Sequence, residues 1–134
     1  MSKYQPCPCS SKVLYHKCCK PYHDGLPAEN ALKLMRSRFA AYALDLSDYI
    51  VHTTHSENPD YTDDVDTSKE GILRFSQNTC FDRLEIIEFV DGEDSATVKF
   101  RAHLRQLETD ASFTERSAFK KVGGCWKYHS GQFE

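Results

Sequence analysis

No apolar run in this chain approaches the ~18 residues of a bilayer-crossing helix. Its opening residues, MSKYQPCPCSS, lack the apolar stretch of a secretory signal. The expectation is a protein of the reducing cytoplasm, where grouped cysteines more often bind metal than form disulfides. A nucleophile elbow, a phosphate-cradling loop and an H-E-x-x-H helix are all missing. That removes the readiest hydrolase, nucleotide-binding and metalloprotease readings. There is no internal repeat. Acidic residues are absent before Asp24, although the whole chain of 134 residues carries a formal charge of -3. Ahead of Asp24 stand Lys3, Lys12, Lys17 and Lys20, with His16 and His23.

Against these absences, four cysteines crowd into the first nineteen residues as C-x-C-x8-C-C: Cys7, Cys9, Cys18 and Cys19. A divalent zinc ion is the main expectation, held by four sulfurs tetrahedrally at roughly 2.3 Å. A redox dithiol pair, an iron-sulfur ligand set and unligated thiols remain as alternatives. The two-residue gaps of the usual iron-sulfur runs are missing, however. Neighbouring Cys18 and Cys19 also make a poor intrachain disulfide. Four thiolates around Zn2+ leave a net negative centre, which the lysines would offset. The same lysines could instead form a basic patch for nucleic acid or an acidic partner.

The chain divides into a cysteine module, residues 1–24, and a domain from 28 to 134. The module is too small to have its own core, so metal ligation would supply most of its folding energy. Pro21, Gly25 and Pro27 punctuate the junction. Beyond it, Leu32, Met35, Phe39, Tyr42 and Leu46 recur at helical spacing. Ser47 is read as the cap of a short second helix carrying Tyr49, Ile50 and Val51. Residues 56–68 read as loop, and Ser68 as the cap of a third helix running to Gln77 with Ile72, Leu73 and Phe75 inward. Four strands follow: Leu84 to Val90, then Ala96 to Leu104 in clean alternation, Phe113 to Val122, and Cys125 to His129. Asp91-Gly92 and Gly123-Gly124 supply turns. Helices followed by hairpin-linked strands predict an α+β fold, with the helices packed on a curved four-stranded antiparallel sheet.

The stretch CPCSSKVLYHKCC resembles the SEC-C motif, the small zinc module also found at the C-terminal tail of the SecA translocation motor. The four cysteines and Tyr15 match it. Ser10 and Lys12 stand where the motif usually has glycines, which serve turn geometry. The rest resembles the bacterial YchJ-like proteins, through CCKPYHDG (18–25), LMRSRFAAY (34–42), YIVHTTH (49–55), ERSAFKK (115–121) and GCWKYHSG (124–131). This resemblance implies a cone-shaped domain like that of nuclear transport factor 2. The SecA tail module contacts a chaperone and the ribosome, so the resemblance also implies protein docking.

Cones of this type often enclose a pocket. Strand parity puts Phe113, Glu115, Ser117 and Phe119 on one face. Glu115 is thus a candidate acid-base or ligand-binding residue among aromatics. It could equally pair with Arg36 or Arg38, or be turned into water by a β-bulge. Arg36 and Arg38 flank the apolar stripe of the first helix and are candidate anion-binding residues at the pocket mouth. His52 and His55 read as ordinary surface histidines, and Cys80 and Cys125 as small core residues.

Three functions compete. The first is a non-enzymatic zinc adaptor that docks a protein partner. The second is a small-molecule enzyme or binding protein using the cone pocket. The third is a nucleic-acid or ribosome binder. The last has few aromatics to stack bases beyond Tyr4, Tyr15 and Tyr22.

Overall fold

The structure is a computed structural model and describes residues 5–134; Lys3 and Tyr4 of the basic segment lie outside them. A 3-10 turn over Tyr15–Lys17 leads into α1 (Lys20–His23). Next come α2 (Ala31–Ala43), α3 (Ser47–His52) and α4 (Val65–Gln77). Then come β1 (Cys80–Val90), β2 (Ser95–Gln106), β3 (Thr109–Asp110), β4 (Phe113–Val122) and β5 (Cys125–Phe133). All pairings are antiparallel, in the order β1-β2-β4-β5, with β3 added on β2. The sheet therefore has five strands, not four. The extra one is a two-residue return of the β2–β4 connection, too short for any sequence period to reveal.

The caps also differ from expectation. Helix α3 begins at Ser47 itself, with Leu46 at the cap position. Asp64 caps α4 by accepting from the Thr67 amide, so that helix starts three residues before Ser68. Asn30 caps α2, accepting from the Lys33 amide at 2.8 Å. Both residues of the Gly123-Gly124 turn have positive φ, +58° and +82°, as a two-residue hairpin requires.

On β2 the alternation is as read: Ala96, Val98, Phe100, Ala102 and Leu104 are all buried. They meet Leu34, Met35 and Phe39 of α2, together with Leu84, Phe119 and Trp126. Fully burying a side chain such as Phe119 or Leu34 contributes about 2–3 kcal/mol. The opposite face is wet and carries cross-strand ion pairs, Arg105 with Asp82 at 2.8 Å and Arg116 with Glu88 at 2.8 Å. Such exposed pairs add little stability and mainly disfavour wrong registers. Pairing of β2 with β4 is unbroken from Ser95↔Lys120 to Ala102↔Phe113, so no bulge shifts the parity of Glu115.

The cysteine module packs on the back of the same helix. Cys7, Cys9, Tyr15 and Cys19 form one buried cluster with Ala40 of α2. Arg36 donates from Nη1 to the Cys9 carbonyl at 2.9 Å, and the Leu84 amide of β1 donates to Ser10 Oγ at 3.0 Å. His23 bridges the two parts. Its Nε2 lies 2.8 Å from the Ser37 carbonyl and its Nδ1 2.7 Å from the Tyr15 hydroxyl. A carbonyl can only accept, so Nε2 carries the proton and Nδ1 accepts from Tyr15. Burial above all pushes the Tyr15 hydroxyl up to about 12 and keeps it a donor.

Ser10 and Lys12 have φ of +68° and +71°, the left-handed region that glycine adopts without strain. These are the two positions where the resembled motif usually has glycine. We expect Lys12→Gly to stabilise the module by about 0.5 kcal/mol, the relieved strain outweighing the added chain entropy. Ser10→Gly should be neutral or destabilising, because it also removes the acceptor of the Leu84 amide. Urea midpoints of the two variants check this.

Burial, set against the bond to the Ser37 carbonyl, pulls the His23 pKa below its ordinary 6.5. The folded state then binds fewer protons than the unfolded chain. This contribution to stability is therefore complete above pH 6.5 and is lost as pH falls below it. An imidazole nitrogen NMR titration should find His23 as the neutral Nε2–H tautomer at pH 7, with a midpoint below 6.5.

Candidate metal centre and cone cavity

The loop from Pro6 to Leu14 closes on itself through an antiparallel bridge between those two residues, and the Cys7 amide donates to the Val13 carbonyl at 2.9 Å. This hairpin presents Cys7 and Cys9. The 3-10 turn and the start of α1 present Cys18 and Cys19 from the other side. All four Sγ atoms lie within 4.8 Å of one another. The Cys9–Cys18 and Cys18–Cys19 sulfur separations are 3.6 and 3.9 Å. A tetrahedron of sulfurs at roughly 2.3 Å from a central ion has edges of about 3.8 Å. The set therefore could hold one tetrahedral metal ion.

Cys7, Cys9 and Cys19 are buried, and Cys18 is half-buried with Ser11 Oγ 3.1 Å from its sulfur. Contacts with Cys7 and Cys9, then burial, push the Cys19 thiol far above its ordinary range. The pocket thus resists holding several thiolates unless a cation joins them. All four ligand positions come from the protein, leaving no open position for a reacting water. A donor set of this kind could hold an ion and so fix the loop.

The second feature lies across α2. Glu115 lines a cavity of about 440 Å³ inside the cone, together with Arg38, Tyr128, Ser117 and a wall of aromatic rings. Its Oε2 accepts from the Ser117 hydroxyl and from the Tyr128 hydroxyl at 3.1 Å. Gly131, opposite Ser117 on β5, leaves the room. A Cβ there would lie 2.6 Å from the Tyr128 hydroxyl and collide with the Glu115 carboxylate. Burial, then the charge of Glu115, raises the Tyr128 pKa, so its hydroxyl stays a donor.

Arg36 and Arg38 part company. Arg36 turns toward the cysteine loop, and its Nη1 is on the Cys9 carbonyl rather than at the cavity. Arg38, 5% exposed, reaches into the cone. Its Nη1 donates to Thr53 Oγ1 at 2.8 Å and to the Ile50 carbonyl at 3.2 Å, and its guanidinium lies 4.6 Å over the Tyr128 ring. Among the described residues neither arginine forms an ion pair with Glu115. Flanking the apolar stripe of α2, both were expected at the pocket mouth. Two residues along a helix is about 200° of rotation, which sends them to opposite neighbours.

Sequence reasoning missed Tyr128 and Ser117 as partners of Glu115, and His129 as a neighbour of His55. His55, Glu57 and His129 form a second grouping of possible metal donors. Their donors are already engaged with one another: the Glu57 amide donates to His55 Nδ1 at 2.9 Å, and His129 Nε2 lies 3.1 Å from the Glu57 carboxylate. Cys80 and Cys125 are exposed rather than in the core, because each is the first residue of its strand.

A protein from Corynebacterium glutamicum, described as a UPF0225 protein, is 33% identical over 132 residues, 96% of this chain and 97% of that one. A UPF0225 protein from Streptomyces coelicolor is 35% identical over 96% of this chain and 95% of its own. Among solved structures, a SEC-C motif containing protein from Rhodopseudomonas palustris superposes with a TM-score of 0.83 at 33% identity. That match covers 96% of this chain and 98% of the other. The cysteine cluster, the antiparallel α+β cone and the agreement along nearly the whole length point the same way. With residues 30–131 matching the family model described as "YchJ, middle NTF2-like domain", the chain belongs to the YchJ family.

Proposed function

We propose that this protein is a zinc-dependent adaptor that docks a protein partner through its N-terminal module and works in the cytoplasm. One observation carries the reading: four sulfurs converge within 4.8 Å in a closed, mostly buried set. Zinc suits that set because it is tetrahedral, accepts thiolates and needs no redox partner. With Cys7, Cys9, Cys18 and Cys19 as its ligands, the ion is structural and shapes a surface. Residues 1–24 then form a metal-dependent unit and residues 28–134 a cone that folds without it.

Around the site Lys12 and Lys17 are exposed, and Lys20 is shared with Asp24 at 2.9 Å. These charges favour an acidic partner surface. A ribosomal or RNA partner is the competing reading. It would show as binding that weakens steeply with salt and disappears when Lys12, Lys17 and Lys20 are neutralised.

Elemental analysis of protein purified without chelator should give one zinc per chain. Protein with no metal and four freely reactive thiols would remove the proposal. Cys18→Ser should release the metal and unfold residues 1–24, seen as collapse of their amide NMR dispersion, while signals of the sheet persist. Affinity capture against a Cys7→Ser, Cys9→Ser control should lose the protein partner with the metal.

A further inference from the structure

The metal site leaves the interior of the cone without a role. At about 440 Å³ the cavity is in the size range of small-molecule sites, roughly 300–1,000 Å³. Its wall is aromatic, with Phe39, Phe81, Phe100 and Phe113 among the lining residues. Edge-to-face contacts hold these rings in place, Phe39 against Phe81 and Phe100 against Phe113. A second space of about 460 Å³ shares Arg38, Tyr42, Asp60 and Tyr128 with the first, so the two adjoin.

The polar groups in this apolar space are unevenly satisfied. Both protein hydrogen bonds to Glu115, from Ser117 and Tyr128, end on Oε2. Among the described residues Oε1 has no protein donor. Glu115 is half-buried, so a donor entering the cavity can reach that oxygen. Asp60, exposed, adds a second carboxylate to the lining. The one cation there, Arg38, is engaged elsewhere: it bonds Ile50, Thr53 and Thr54 and lies over the Tyr128 ring. It orients the tyrosine and makes no ion pair with Glu115. Two carboxylates against one committed arginine, with ring faces around them, make a space that favours positive charge.

We propose that the cone cavity binds a small organic cation, a protonated amine on an apolar or aromatic body, with Glu115 Oε1 accepting from the ammonium group. The aromatic wall takes the body, and the Tyr128 and Ser117 hydroxyls hold the carboxylate in place. A neutral molecule of the same shape would leave the Glu115 charge unmet, and an anion would face two carboxylates. This site is separate from the metal centre, and its fate does not depend on the adaptor reading.

Three probes that differ only in charge test the proposal: 2-phenylethylamine, 2-phenylethanol and phenylacetate. Each is titrated into the intact metal-loaded protein and followed by amide NMR shifts of Ser117, Tyr128 and Gly131. The amine should bind about tenfold or more tighter than the alcohol, since an ion pair with the carboxylate replaces a hydrogen bond from an uncharged hydroxyl. Phenylacetate should bind worst. Glu115→Gln, which preserves shape, should abolish the preference for amine over alcohol. Asp60→Asn, at an exposed position, should reduce the preference by about two- to threefold, as a screened charge does, and serves if Glu115→Gln does not fold. Equal binding of amine and alcohol, a preference for phenylacetate, a preference that survives in folded Glu115→Gln, or no binding of any probe to about 10 mM would each overturn it.

Discussion

The structure depends on α2 being packed from two sides at once. Leu34, Met35 and Phe39 bury into the sheet, while Ala40 lies against the cysteines. Ala40 has no exposed surface, and only a small side chain allows so close an approach of the cysteine loop. A helix enclosed in this way loses the freedom to slide on the sheet. Its arginines then reach fixed targets: Arg36 holds the loop at the Cys9 carbonyl, and Arg38 holds the segment after α3. His23 adds a link whose proton position is dictated by the Ser37 carbonyl. The cysteine cluster and the cone are thus mechanically joined through one element.

That coupling also fixes the interior of the cone. Arg38 binds Thr53 and Thr54, and the Thr53 carbonyl and the His55 amide exchange hydrogen bonds with the Tyr128 backbone at 2.8 Å each. Tyr128 is therefore set from behind by the guanidinium and from the side by a backbone bridge before it reaches Glu115. The carboxylate itself sits where Gly131 makes room. A charge held this firmly can discriminate between ligands, because it cannot swing toward a poor one.

The cone was legible in the sequence wherever burial is one-sided. The alternation of β2 maps onto the buried face residue for residue, because one face of the sheet is wet. Glu115 followed from parity alone, since the β2–β4 register has no bulge. The cysteines were legible because their crowding has few other causes. The helical stripe of α2 was only partly legible. Ser37, Arg38, Ala40 and Ala41 are buried outside it, and a period of 3.6 cannot announce a helix covered on more than one side. The roles of Arg36 and Arg38, the two-residue β3 and the meeting of His55 with His129 depend on contacts between distant segments. Local pattern does not encode these. Ser10 and Lys12 show the reverse case: they occupy positive φ, a conformation that their side chains do not announce in the sequence.

The Ser10 hydroxyl has one more consequence. Strand β1 is an edge of the sheet, and its Leu84 amide points away from β2 to meet that hydroxyl. The cysteine loop therefore covers part of an open strand edge, and two register irregularities roughen the rest of β1. At the other edge, Thr54 bridges to Tyr128 and covers part of β5. An uncovered edge invites pairing with another chain. Ordering of the N-terminal loop thus also guards the sheet against self-association.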